Sequence, residues 1–165
     1  KKPGDLNNLF SLLMEGATVK ENLDTLSGVI GEKLGIKRLD IINGGTVAAY
    51  SHMGGRIGVL VSLDKEGQGE LAREIAMQVA AANPKYIYPE DVPAAELEKE
   101  KDIYREQLKK EGKPDNMIEK ILGGKLSKYF EEVCLVKQEY IKDDKKKVEN
   151  ILGDVKVEKF VRYSL

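Results

Sequence analysis

The chain has 165 residues, 41% hydrophobic and 33% charged, enough to bury a sizeable core in one or two globular domains. Its formal net charge of −1 favours neither nucleic acid nor an anionic membrane surface. No apolar run approaches the length of a membrane span, no signal peptide is visible, and a single cysteine, Cys134, excludes an intrachain disulfide and fits a reducing compartment. The sequence opens Lys1-Lys2-Pro3 rather than with Met, which leaves any upstream targeting signal open.

Asp5 to Met14 reads as a short helix, capped by Asp5, with Leu6, Leu9, Phe10 and Leu13 on one face. Thr18-Val19-Lys20-Glu21 is a capping-box pattern, so a second helix is expected from Val19. Its stripe is Leu23, Leu26, Ile30 and Leu34, and Gly35 is its expected stop. Ile36 to Ile42 reads as a strand closed by the Asn43-Gly44-Gly45 turn. Thr46 to Leu63 then reads as two strands joined at Met53-Gly54-Gly55. Ile57, Val59, Val61 and Leu63 alternate onto one face, and the glycine pair supplies the positive φ of a tight turn. Gly58 lies inside the second strand, where glycine marks a bulge or a close approach of another backbone. A polar tip (His52, Arg56) beside a glycine window points to a docking edge rather than an active site.

Asp64 to Gly69 is a loop, and a helix is expected from about Glu70 to Ala82. Leu71, Ile75 and Val79 lie on one side of it, and Ala72, Ala76 and Ala80 allow close packing on a sheet. Asn83-Pro84 breaks it. Pro84 to Pro93 reads as an extended connector between subdomains 1–88 and 89–165. A helical hairpin should occupy about 93–131. Pro93 suits its first turn, Gly112-Lys113-Pro114 turns the chain, and Asp115 caps the return helix. The return helix has an apolar face of Ile118, Ile121, Leu122, Leu126, Tyr129 and Phe130, and Gly123-Gly124 weakens it by about 1 kcal/mol per glycine. Val133 to Tyr140 reads as extended, Lys145 to Leu152 as a short helix, and Val155 to Leu165 as a final strand. Residues 30–39 and 152–160 echo each other as a helix end, a glycine and a strand, consistent with two diverged copies of one unit.

Chemistry is scarce. His52 reads as an exposed tip residue with no His or Cys cluster around it, so neither a metal site nor a catalytic triad is expected. Gly54-Gly55-Arg56-Ile57-Gly58 runs from strand to strand, whereas phosphate-binding loops run from strand to helix. Glu131-Glu132, Asp143-Asp144 and Lys145-Lys146-Lys147 sit in mixed charge and read as solvated. Cys134, between Val133 and Leu135, reads as a buried inert thiol. From the residues alone this is a binding or assembly module with no catalytic residue and no cofactor.

Several motifs, in order, carry a more specific likeness. They are His52-Met53-Gly54-Gly55-Arg56-Ile57-Gly58-Val59-Leu60-Val61, Ile75-Ala76-Met77-Gln78-Val79-Ala80-Ala81 and Pro84-Lys85-Tyr86. Glu111-Gly112-Lys113-Pro114, Glu119-Lys120-Ile121 and Gly124-Lys125-Leu126 follow. The last are Glu131-Glu132-Val133-Cys134-Leu135, Tyr140-Ile141-Lys142-Asp143-Asp144 and Lys159-Phe160-Val161-Arg162-Tyr163. Together they resemble the elongation factor Ts family from about Leu6 to the end. The resemblance implies an α+β fold of two related subdomains, each a small antiparallel sheet packed with helices, plus the helical hairpin. It implies a guanine-nucleotide exchange factor that binds elongation factor Tu, GDP-bound or nucleotide-free, and promotes GDP release without nucleotide chemistry of its own. The alternative is a Tu-binding or dimerisation module without exchange activity.

The partner-contact residues it implies are His52, Gly55, Arg56, Ile57, Gly58, Gln78, Tyr140 and Ile141. Homodimerisation is left open, and neither nucleic acid nor membrane is implied. The implied location is the bacterial cytoplasm, or an organelle where a targeting signal lies upstream. The 165 residues depart from the family in lacking its N-terminal helical domain and its Thr-Asp-Phe-Val motif, whose Phe wedges near the nucleotide site. Gln78 stands where many relatives have His, and Glu139 where many have Pro. Val161 stands where the short, disulfide-joined members have Cys, so that disulfide is not expected.

Overall fold

The computed structural model describes residues 2–165, which divide into two compact units, one up to Ile41 and the other Ile42–Leu165. In the first unit α1 (Leu6–Phe10) begins where the Asp5 carboxylate accepts the Asn8 N–H at 2.7 Å. It is shorter than expected. Leu13 and Met14 form β1 (Leu13–Met14), which pairs with β2 (Ala17–Thr18) through Glu15 and Gly16, at φ 55° and 89°. Two successive positive φ values make the tight hairpin turn that stops a helix from running on. The capping box forms as expected. The Glu21 N–H donates to Thr18 Oγ1 at 3.2 Å and the Thr18 N–H to Glu21 Oε2 at 2.7 Å, opening α2 (Val19–Ile30).

The helix ends at Gly31 (φ 80°), four residues before the expected stop. Residues 32–41 have no regular structure, so the strand expected over Ile36–Ile42 is absent. Its apolar residues, Ile36, Leu39, Ile41 and Ile42, do not alternate, and no ladder pairs with it among the described residues. The echo between 30–39 and 152–160 therefore holds for the helix end and the glycine but not for the strand.

In the second unit β3 (Thr46–His52) and β4 (Ile57–Leu63) form the expected antiparallel hairpin, in register from Thr46 opposite Leu63 to His52 opposite Ile57. The alternation of β4 is realised. Val59, Val61 and Leu63 are buried, and Ile57 packs against the same core. The returning helix α3 (Gly69–Ala82) lays Ala72, Ile75, Ala76, Val79 and Ala80 on that face, all at 2% exposure or less. Each fully buried Val, Leu or Ile side chain contributes about 1.5–3 kcal/mol relative to exposure, and the three alanines let helix and sheet approach closely. Asn83, at φ 48°, caps α3 before Pro84.

The connector is partly ordered by backbone pairing. Tyr86 bridges Cys134 in parallel, and residues Pro89–Asp91 make a single 3-10 turn. The helical hairpin is α4 (Ala94–Lys110) and α5 (Asp115–Val133). Pro93 and Pro114 occupy the cap positions, so Asp115 is the first helical residue rather than the cap. Gly123-Gly124 lies within a continuous α5. Leu108 of α4 and Ile118, Leu122, Tyr129 and Val133 of α5 are buried.

After a 3-10 turn at Leu135–Lys137, β5 (Glu139–Tyr140) pairs with β6 (Asp143–Lys147). The lysine triplet, expected in a helix, thus ends a strand. The helix α6 (Val148–Leu152) starts only where Asn150 Oδ1 accepts the Lys147 N–H at 2.9 Å. The final strand β7 (Val157–Ser164) pairs antiparallel with β4, giving the sheet order β3-β4-β7. Strands from both sides of residue 88 therefore share one sheet, within one compact unit. The fold class is α+β with small antiparallel sheets packed with helices. Tyr88 ties the connector to this sheet: its hydroxyl donates to the Val157 carbonyl at 3.2 Å and accepts the Val157 N–H at 3.1 Å.

Candidate functional site

The tip of the β3–β4 hairpin is built by backbone conformation. Met53, Gly54 and Gly55 take φ values of 52°, 66° and 92°, and the Gly55 N–H donates to the His52 carbonyl at 3.2 Å. Such a run favours glycine, because a Cβ crowds its own backbone at positive φ. Gly55 and Arg56 are exposed. The Arg56 carbonyl accepts the Leu165 N–H at 3.0 Å, which closes the chain end onto the tip. His52 is half-buried rather than exposed. Tyr50, two positions earlier on the same strand face, places its hydroxyl 3.1 Å from His52 Nδ1, with ring centroids 5.8 Å apart.

Gly58 lies opposite Ser51 on β3 and Tyr163 on β7, in regular register. Of the two readings of that glycine, bulge or close approach, the bulge is absent there, and the irregularity between β4 and β7 falls at Ser62/Leu63 instead. A Cβ on Gly58 would meet no atom within 4 Å. The glycine opens a shallow, mostly apolar groove with Ala49, Ser51, Leu60, Val161 and Tyr163 on the sheet face away from α3.

Gln78 and Tyr140–Ile141 come together although 60 or more residues separate them. The N–H of Ile141 donates to Gln78 Oε1 at 2.9 Å, and Gln78 Nε2 donates to the Glu139 carbonyl at 3.1 Å and to Gln138 Oε1 at 3.3 Å. Gln78 is 0% exposed and Tyr140 6%, whereas Ile141 is 47% exposed. The surface that this cluster offers is therefore Ile141, with Gln78 and Tyr140 behind it.

Glu74, one turn before Gln78 on α3, accepts from Lys142 Nζ at 2.7 Å. The Lys142 ammonium, with the Tyr140 phenol beside it, holds the Glu74 carboxyl below the usual glutamate range. Burial and Glu74 push the Tyr140 phenol up. Glu74 is a site residue that pattern reasoning missed; its one sequence signal is the helical i, i+4 spacing to Gln78.

The C-terminal end of α3 lies at the same end of the sheet as the hairpin tip. Arg162, opposite Val59 on β4, donates from Nη2 to the Ala80 carbonyl at 3.3 Å. The structure thus sets an open side-chain position at Gly58, a polar tip at Gly55-Arg56 and an apolar turn tip at Ile141 within one compact unit.

Among the described residues no three His, Cys, Asp or Glu side chains cluster so as to hold a metal ion, and no helix is long and apolar enough to cross a membrane. Cys134 is fully buried, and burial, followed by Asp91 and Glu90, pushes its thiol up to about 11. It is far from the thiolate state that nucleophilic chemistry needs.

A family model described as Elongation factor TS matches residues 1–165. Curated relatives carry the same name. The elongation factor Ts of Prosthecochloris aestuarii (strain DSM 271 / SK 413) is 42% identical over 161 residues, covering 90% of this chain and 56% of that protein. That of Chlorobium phaeobacteroides (strain BS1) is 42% identical over 164 residues, covering 92% and 57%. That of Hydrogenobaculum sp. (strain Y04AAS1) is 41% identical over 154 residues, covering 92% and 56%. The chain spans a little over half the length of these relatives.

Proposed function

The chain belongs to the elongation factor Ts family, and from that premise we propose that it binds elongation factor Tu and promotes release of its GDP. The observation that carries the reading is the state of the His52–Gly58 motif. It folds as a tight hairpin in which the Gly58 backbone is paired with β3 and β7 while the space where its side chain would stand is open, room for a partner to approach that face. Ile57 beside it and Ile141 at the same end of the sheet supply apolar contacts. His52, Gly55 and Arg56 supply polar ones. Gln78 and Tyr140 act from behind that surface.

Promoting release requires tighter binding to nucleotide-free Tu than to GDP-bound Tu, since a ligand shifts an equilibrium only by its differential affinity. A second reading is binding without efficient exchange. Contacts that grip both states equally shift nothing. Loss of about 2–3 kcal/mol of differential affinity lowers the shift roughly 30- to 150-fold.

Stopped-flow release of a fluorescent GDP from Tu separates the two readings. Acceleration at saturating chain establishes exchange. Saturable binding without acceleration establishes the second reading, and absence of binding overturns both. The same reading places the protein in the bacterial cytoplasm. Self-association, which it leaves open, is read by sedimentation of the chain alone.

A further inference from the structure

We propose that Gln78 and Glu74 are positioning residues that clamp the β5–β6 turn from α3 and so present Ile141 to the partner, without touching the partner themselves; this rests on the Tu-binding reading above. Gln78 is fully buried and spends three of its four hydrogen-bonding positions inside the chain. Its carboxamide uses its oxygen on the Ile141 N–H and its nitrogen on the Glu139 carbonyl and Gln138 Oε1, at 0% exposure. These bonds straddle the turn. Tyr140 pairs with Asp143, which leaves Ile141 and Lys142 as its two tip residues. Gln78 holds backbone at Glu139, before the tip, and at Ile141 in it, while Glu74 holds the ammonium of Lys142, the second tip residue, at 2.7 Å.

The clamp is anchored in turn. Gln138 Nε2 donates to the Glu132 carbonyl at 3.2 Å, which fixes the turn relative to the end of α5. A two-stranded ribbon this short is marginal alone, so its shape depends on α3. Ile141 is then a branched apolar side chain, 47% exposed, on a backbone already fixed at both flanks. Fixing a contact residue before binding removes the ordering cost from the association step.

The test is a double-mutant cycle with an independent structural arm. Gln78→Met keeps length and removes all three hydrogen bonds. Gln78→Glu keeps the acceptor for the Ile141 N–H and loses the donors, and serves as the second variant if the first does not fold. Amide hydrogen exchange at Ile141 is read by NMR on the free chain, and affinity for nucleotide-free Tu by calorimetry. The expected result is faster Ile141 exchange by at least about tenfold in Gln78→Met, with a smaller rise in Gln78→Glu. Tu affinity should fall about tenfold in the Ile141 background and less than about twofold when Ile141→Ala is already present. Equal losses in both backgrounds, or unchanged Ile141 exchange in a chain that binds Tu, overturn the clamp. A wild-type chain that fails to bind Tu overturns the functional reading instead, and Ile141 exchange still decides whether Gln78 holds the turn.

Discussion

Tyr129 donates its hydroxyl proton to Glu96 Oε1 at 2.7 Å and thereby locks the end of α5 to the start of α4. Tyr86, on the connector, donates to the other carboxylate oxygen at 2.6 Å. One carboxylate thus fastens both roots of the helical hairpin to the segment that bridges Cys134. The Tyr86 and Tyr129 hydroxyls, with Lys85 behind them, hold the Glu96 carboxyl below the usual glutamate range.

Because that pKa is depressed in the folded chain, the stabilisation is present above the ordinary glutamate value and is lost as pH falls through the lowered one. Spin labels on the hairpin turn and on β3 are therefore expected to give a narrow distance distribution at neutral pH and a broader one in acid. Glu96→Gln should broaden it at neutral pH and remove the acid step. An unchanged distribution in the variant removes Glu96 as the anchor.

Gly58→Val is expected to fold as well as wild type, within about 0.5 kcal/mol, since its Cβ meets nothing within 4 Å. Its Tu affinity should fall by about 1–3 kcal/mol, the scale of overpacking a close contact. Thermal unfolding and titration calorimetry on the same samples check both halves. Equal affinities would take Gly58 out of the binding surface.

Gly45→Ala has the opposite pattern. A Cβ there would run into the Asp64 carbonyl oxygen and lie 2.7 Å from the Lys65 carbonyl carbon, backbone that cannot swing aside. Urea unfolding should show a loss of about 1–3 kcal/mol. A variant as stable as wild type would mean that the turn entering β3 is free to shift.

Cys134 should resist a disulfide reagent at pH 8 in the native chain and react at once in denaturant. It is 0% exposed, and its thiol is pushed up to about 11. Native labelling, followed by absorbance, should proceed only at the rate of opening. Prompt labelling of the folded chain would contradict the packing between the connector and α5.

Tyr104 is pushed up to about 12, first by burial and then by Glu100. For a raised phenol the stabilisation is intact below the ordinary tyrosine value and is lost as pH rises through about 12. Tyr86, Tyr88, Tyr129 and Tyr140 are raised as well, so absorbance at about 295 nm should show a late step of several tyrosines that loses one tyrosine's amplitude in Tyr104→Phe. An unchanged late amplitude in the variant would take Tyr104 out of that step.

The sequence by itself determined what contiguous residues decide. The Thr18–Glu21 capping box, the alternation of Ile57, Val59, Val61 and Leu63, the small-residue face of α3 and the turn glycines of the hairpin are short-range patterns, and each appears as written. The order of motifs likewise carried the family. Only the tertiary structure decided which segments find ladder partners. β7 pairs with β4 across nearly 100 residues, Asp143–Lys147 becomes a strand because Glu139–Tyr140 lies beside it, and residues 36–41 have no ladder. It also decided that Gln78, polar and unremarkable in its helix, is the best-buried polar side chain beneath the Ile141 turn. The reason is physical. Propensity and periodicity are summed over neighbours in the chain, whereas a strand or a buried amide is stable only if a distant backbone supplies the other half of its hydrogen bonds.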